Sequence, residues 1–226
     1  MMKAFVSWSG GKEASLAYYK TLKNIEAVYL LNMISEDGRR SRSHGIDANC
    51  LRLQSEAIGI PIIQRRTSWQ NYESEFKQVI SDLKREEVKL GIFGDIDLQG
   101  HRDWVERVCK EMGVKAILPL WKERREKLLK DFINTGFKAI VVATQANLLG
   151  KEWLGRKIDE KFIEDLRALG NIDMCGEEGE YHTFVFDGPI FKDPLEITTG
   201  EKVLKDNHWF LEIIPKDGKY KAGRIY

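Results

Sequence analysis

Ser7-Trp8-Ser9-Gly10-Gly11-Lys12-Glu13-Ala14-Ser15 is the stretch whose reading decides the fold. The apolar run Ala4 to Trp8 reads as a buried strand, and Leu16, Ala17, Tyr18, Tyr19 and Leu22 then fall at helical spacing. A strand feeding a Gly-rich turn that opens a helix is a ready anion site. The glycines let the backbone approach a phosphate closely, and the first N–H groups of the helix point at it with the positive end of the helix dipole. A Walker loop needs a Gly well before the Gly-Lys pair and Ser or Thr directly after the Lys. Here those positions hold Val6 and Glu13, so the Walker reading fails at both.

Composition bounds the partners. The chain has 226 residues, 42% of them hydrophobic, enough for one large domain or two small ones with a proper core. Lysine and arginine number 36 against 35 acidic residues, for a net charge of +1. That balance argues against a protein that holds nucleic acid by bulk charge. No signal peptide is expected before the first strand, and the apolar runs are far shorter than the roughly 20 residues that span a bilayer. Cys50, Cys109 and Cys175 are far apart and form no CxxC pair, which points to a reducing, cytoplasmic setting without a thiol zinc site.

Strand and helix patterns alternate through the first 120 residues. Ala27 to Ile34 is a second buried strand, followed by a polar loop from Ser35 to Gly45 that carries Arg42 and His44. Asp47 caps a helix closed by Gly59, Pro61-Ile62-Ile63 starts a third strand, and Asn71 to Val88 is helical. Leu90 to Phe93 is a fourth strand ending at Gly94-Asp95, then a helix spans Asp103 to Met112 and a strand Lys115 to Leu118. Alternation of this kind predicts an α/β fold, a Rossmann-like parallel sheet with helices on both faces. Right-handed crossovers would bring Ser9 to Lys12, Ser35 to Gly45 and Gly94 to Arg102 to one crevice.

From Trp121 the texture changes, so a boundary is expected near 120, with a smaller α+β unit over 121–226. A charged helix from Lys122 is capped by Gly136, Lys138 to Ala143 is a β-run, and Asp159 starts a helix that Gly170 ends. Strands are then expected at Thr183 to Phe186, Leu195 to Val203, Phe210 to Ile214 and Tyr220 to Ile225. The least ordinary stretch of this half is Cys175-Gly176-Glu177-Glu178-Gly179-Glu180-Tyr181-His182-Thr183. Such a cluster can bind a cation, orient an amine or supply acid–base groups, or it is simply an acidic loop.

The order Ser9-Gly10-Gly11-Lys12-Glu13-Ala14 resembles the SGGKDS loop of the N-type ATP pyrophosphatases, the PP-loop superfamily. Further signatures follow in one order along the chain. They are Gly94-Asp95-Ile96 leading to Arg107-Val108-Cys109, Leu118-Pro119-Leu120-Trp121, and Gly176-Glu177-Glu178-Gly179-Glu180-Tyr181-His182-Thr183. With these the chain resembles, over nearly its whole length, the short archaeal form of the diphthine–ammonia ligase (diphthamide synthase) family. The resemblance implies a HUP-type ATP-binding domain over 1–120 and a substrate-binding domain over 121–226. It implies ATP and Mg²⁺ as cofactors and activation of the carboxylate of diphthine on translation elongation factor 2. Ammonia then displaces AMP, and pyrophosphate leaves. Ser7, Ser9, Gly10, Gly11, Lys12, Glu13 and Ser15 would hold the phosphates, with Lys12 catalytic. His44, Gly94 and Asp95 would lie at the nucleotide, Asp95 also as a magnesium ligand. Glu178, Glu180 and His182 would serve the acceptor, any one of them as the base.

Two departures stand out: the family's Asp-Ser after the lysine is Glu13-Ala14, and its Glu-Gly-Gly-Glu is Glu177-Glu178-Gly179-Glu180. Ser15 lies about 100° further round the helix than the position it would replace. The competing readings are a PP-loop enzyme that adenylates RNA and a nucleotide-binding module without catalysis. No membrane contact is expected, and the sequence leaves a homo-oligomer open.

Overall fold

The computed structural model describes residues 1–216, so the strand expected at Tyr220 to Ile225 lies outside the described residues. The first sheet holds β1 (Met2–Ser7), β2 (Ile25–Ile34), β3 (Ile62–Arg66), β4 (Leu90–Ile92) and β5 (Lys115–Ile117), all parallel, in the order β3-β2-β1-β4-β5. Four crossover helices cover it: α1 (Lys12–Thr21), α2 (Ala48–Ile58), α3 (Tyr72–Lys84) and α4 (Gln99–Glu111). Burial on both faces is why these strands read as continuous apolar runs. On β1, Phe5 packs with Phe76, Val79 and Val108 of α3 and α4, whereas Ala4 and Val6 join Leu16 and Leu51 of α1 and α2. The order reverses between β1 and β4, and an open α/β sheet holds its ligand outside the strand ends at that reversal.

The second half supplies α5 (Arg125–Asn134), β6 (Lys138–Gln145), α6 (Glu160–Leu169), β7 (Tyr181–Asp187), β8 (Ile197–Lys205) and β9 (His208–Pro215). Its four strands form an antiparallel sheet in the order β7-β6-β9-β8. This sheet packs on the α1 and α2 side. Phe184, Val185 and Leu211 belong to one apolar cluster with Val6, Trp8, Leu16 and Leu51. No described helix is long and apolar enough to cross a membrane.

The expected caps are present. Asp47 accepts a hydrogen bond from the Asn49 N–H at 2.8 Å, Asp159 accepts one from Phe162 at 2.9 Å, and Gly59 and Gly170 close their helices in the left-handed region. Three helices differ in their boundaries from the sequence expectation. α4 starts at Gln99 rather than Asp103, because its first turn is polar and gives no apolar period. α3 stops at Lys84 rather than Val88, ahead of the positive-φ turn at Glu87. α5 starts at Arg125, because Lys122 has φ +60° and breaks the charged run that otherwise reads as helix.

Candidate active site

β1 ends at Ser7, and α1 begins at Lys12, with Gly10 at φ +80° making the turn between them. The turn is held from the other half of the chain. The Val185 N–H of β7 donates to the Gly10 carbonyl at 3.0 Å, and the Lys12 N–H donates to Thr183 Oγ1 at 3.1 Å. Buried Gln54 of α2 donates to the carbonyls of both Gly10 (3.0 Å) and Val185 (2.6 Å), and accepts from the Trp8 indole at 2.9 Å. Gly94, just past β4, lies against α1. A Cβ there would sit 2.9 Å from the Glu13 carbonyl carbon and 3.0 Å from the Ala14 nitrogen, so only glycine permits this approach.

Above the turn lies a cleft of about 660 Å³. Ser7, Ser9, Lys12, Glu13, His44, Gly94, Asp95 and His182 all line it, with Gly10 and Gly11 forming the turn beneath. The three strand ends expected to converge do so. A fourth joins them: the β3–α3 connection brings Trp69 and Tyr72 to the same wall. That connection follows the C-terminal end of a strand of the same sheet, and this topology is the signal that would have found it.

Lys12 is buried and its ammonium is fully engaged. Nζ donates to the Cys175 carbonyl at 2.6 Å, pairs with Glu13 Oε1 at 2.6 Å, and lies 4.4 Å from the centre of the Tyr181 ring. Burial works against its charge, yet Glu13 and the other partners outweigh burial and raise its pKa. Lys12 therefore stays charged, tied at once to the Gly-rich turn and to the glutamate-rich stretch.

That stretch is fixed by two carboxylates. Asp173 accepts from the N–H groups of Cys175 (3.1 Å) and Glu177 (2.6 Å) and pairs with Arg125 at 2.8 Å. Buried Glu180 accepts from the N–H groups of Asp173 and Glu178, each at 3.1 Å. Glu180 is thus a brace for the loop and does not line the cleft, and Glu178 is exposed outside it. The carboxylate that does face the cleft is Glu177, which the sequence reading passed over. Its pKa rises to about 8, through burial first and then the nearby Glu13, Asp173 and Asp95 carboxylates, with Lys12 opposing. Ser15, expected at the phosphates, is fully buried and donates back to the Gly11 carbonyl at 3.0 Å, so it stabilises the first turn of α1 and does not line the cleft.

His44 and His182 stack face to face, 4.4 Å between ring centres and 17° from parallel, with His44 against Gly11. Burial lowers both. His44 falls well below the usual histidine range, with His182 and Lys12 adding to the effect, and His182 falls to about 4 with Lys12 again contributing. Both rings are therefore neutral near pH 7. The buried His44 Nδ1 and Arg42 Nε have no hydrogen-bond partner among the described residues. Asp95 Oδ1 lies 3.5 Å from His101 Nδ1, and this contact raises the His101 pKa.

A divalent cation fits the donor set only as part of a larger complex. Among the described residues no group of three or more His, Cys, Asp or Glu could hold a metal. Glu13, Asp95 and Glu177 nonetheless line the cleft as oxygen donors, and the first two help to raise the pKa of Glu177. Magnesium is typically held by one or two carboxylates plus the phosphates of a nucleotide, and Asp95 suits that role.

Residues 2–116 match the diphthamide synthase N-terminal domain family and 124–217 the diphthamide synthase C-terminal domain family. The diphthine–ammonia ligase of Schizosaccharomyces pombe is 29% identical over 226 aligned residues, covering 89% of this chain and 37% of that protein. The chain thus spans little more than a third of that relative. The Rattus norvegicus enzyme of the same name is 25% identical over 221 residues, covering 87% of this chain and 83% of the relative. The Homo sapiens one is 28% identical over 178 residues, covering 71% and 65%. A crystal structure described as a predicted subunit of tRNA methyltransferase from Methanocaldococcus jannaschii aligns at TM-score 0.43 and 14% identity over 84% of this chain.

Proposed function

The chain belongs to the diphthamide synthase family, and from that premise we propose that it is an ATP-dependent ligase that amidates diphthine on translation elongation factor 2. In this reading a diphthine carboxylate oxygen attacks the α-phosphorus of ATP and the bond to pyrophosphate breaks. The acyl-adenylate is then attacked at its carbonyl carbon by ammonia. The bond to AMP breaks, and the nitrogen sheds one proton as the amide forms. Residues 1–120 take the ATP and 121–226 the acceptor. A cytoplasmic setting belongs to the same reading, because elongation factor 2 works there.

The observation that carries the proposal is the bonding of the Gly10–Lys12 turn to the Cys175–Val185 stretch across one cleft. Activation of a carboxylate requires the α-phosphate and the acceptor within reach of each other. A charged Lys12, held rigid, offsets charge as it builds on the leaving pyrophosphate, and preorganised donors of this kind typically contribute about 3–4 kcal/mol each. Magnesium, held by Asp95 and the phosphate oxygens, would supply further charge offset for the leaving group. Glu177 faces the cleft, and its ionised fraction, which grows as pH rises through about 8, is suited to receive the proton that the nitrogen sheds. His44 and His182, being neutral, are suited to donate or accept hydrogen bonds without adding charge beside Lys12.

The test is release of AMP and pyrophosphate from ATP and ammonium with purified diphthine-bearing elongation factor 2, with bulk tRNA, and with no acceptor. AMP formed with the factor, together with a mass loss of about 1 Da on the modified histidine, supports the proposal. AMP formed only with tRNA, or ATP bound without turnover throughout, overturns it.

A further inference from the structure

One wall of the cleft is built from aromatic rings. Trp69 and Tyr72 lie 5.8 Å apart at 23°, Tyr72 and Trp104 5.8 Å apart at 57°, and Trp104 leans on Phe76 at 5.4 Å and 54°. These rings do more than fill a core, since Trp69 at the rim is 68% exposed. A cation already rests on this wall: the Arg42 guanidinium lies 4.9 Å from the centre of the Trp69 ring.

We propose that Trp69, Tyr72 and Trp104 form the seat of an alkylated ammonium group, and that its natural occupant is the trimethylammonium that diphthine carries beside the carboxylate to be amidated. This deepens the ligase reading above and rests on it for the identity of the occupant. The chemical class follows from the wall. Ring faces attract a cation through their quadrupole, and a methylated ammonium has no N–H to leave unsatisfied when it moves from water onto them. Trp104 Nε1 donates to Glu73 Oε2 at 2.9 Å, which fixes the indole, while Arg107 and Lys77 take up the charge of that carboxylate. Asp95 is near enough to Tyr72 to help raise its phenol pKa, after burial, to about 12.

Ring geometry favours a compact cation over a purine. A base prefers two parallel faces to slide between, whereas Trp104 is turned by more than 50° from both Tyr72 and Phe76 and makes a corner. Arg42 completes the arrangement. On arrival of the ligand its guanidinium leaves the Trp69 face, and its unpartnered Nε–H can meet the carboxylate carried next to the ammonium. The substrate would then lie with its charge on the wall and its carboxylate toward Lys12 and the phosphates.

The experiment uses the full chain saturated with ATP. Choline and its uncharged isostere 3,3-dimethyl-1-butanol are titrated by calorimetry into wild type, Trp69→Leu, Trp69→Phe and Tyr72→Leu. Choline is expected to bind about tenfold more tightly than the isostere, with Trp69→Leu and Tyr72→Leu removing most of that preference and Trp69→Phe restoring it. ATP affinity is expected to stay within twofold. Equal binding of the two probes, no binding of choline, or a tenfold loss of ATP affinity in the same variants overturns the proposal, the last by making the wall a purine shelf. Because Trp69 is exposed, its replacement leaves the core intact. With diphthine-bearing elongation factor 2, Trp69→Leu is expected to raise KM about tenfold, far more than it lowers kcat. Choline bound without any amidation by wild type would sink the ligase reading alone. Amidation by Trp69→Leu and Tyr72→Leu at wild-type KM would sink the wall alone.

Discussion

Lys12 shows how much one side chain is asked to do. Its Nζ is committed to the Cys175 carbonyl and to Glu13, so the charge is placed before any ligand arrives. Lys12→Met keeps the volume and the apolar stem but removes the charge, and pyrophosphate release should fall about 10²- to 10³-fold. An effect below tenfold would remove Lys12 from the transition state. Glu177 gives a pH signature with the opposite sign from most carboxylates. Its folded pKa of about 8 lies above the unfolded value, so the folded state holds the extra proton and stability declines as pH rises from about 4.5 through 8. Glu177→Gln, a mimic of the protonated form, should stabilise the protein by about 1–3 kcal/mol at pH 8.5 and by almost nothing at pH 4, read by urea unfolding. A pH-independent difference would contradict it. His182 acts the other way: its folded pKa of about 4 means that stability is lost as pH falls from about 6.5. None of this was legible in the run Glu177-Glu178-Gly179-Glu180. A loop has no period, so nothing in the sequence says which of three neighbouring carboxylates turns inward, which braces the backbone and which meets solvent.

At the scale of elements, the reading succeeded where physics leaves a pattern. Apolar runs mark β1, β2 and β4, and capping residues mark α2 and α6, because burial on two faces and unpaired helix ends are local demands. It failed at α4 and α5, where a polar first turn and one positive-φ lysine carry no period. The meeting of β4 with α1 is a contact between elements some 80 residues apart, and Gly94 is what allows it. Gly94→Ala would drive a methyl into the Glu13–Ala14 backbone. The expected cost is about 1–3 kcal/mol of stability, with ATP affinity lowered more than about fivefold, because the start of α1 is displaced. Affinity unchanged beside lowered stability would mean that the turn tolerates the shift. The stacking of His44 on His182 joins the β2–α2 loop to β7 and is visible only once both sheets are placed.

At the scale of the molecule, the two sheets share one apolar cluster, in which Trp8 and Leu51 meet Val185 and Leu211. Gln54 adds hydrogen bonds to both sides of that junction. Heat should therefore unfold the chain in a single cooperative transition, with calorimetric and van't Hoff enthalpies equal. Two resolved transitions would show the halves to be energetically separate. The change of texture near residue 120 is real in the sequence, yet the residues that bind the halves together are ordinary apolar ones that no boundary signal distinguishes.

The bond from the Lys12 N–H to Thr183 Oγ1 and that from the Val185 N–H to the Gly10 carbonyl have a thermodynamic corollary. β7 holds the turn that opens α1, so under the proposed function a ligand that shifts one side of the cleft changes the free energy of filling the other. Such linkage is reciprocal: whatever factor ATP adds to acceptor affinity, the acceptor returns to ATP.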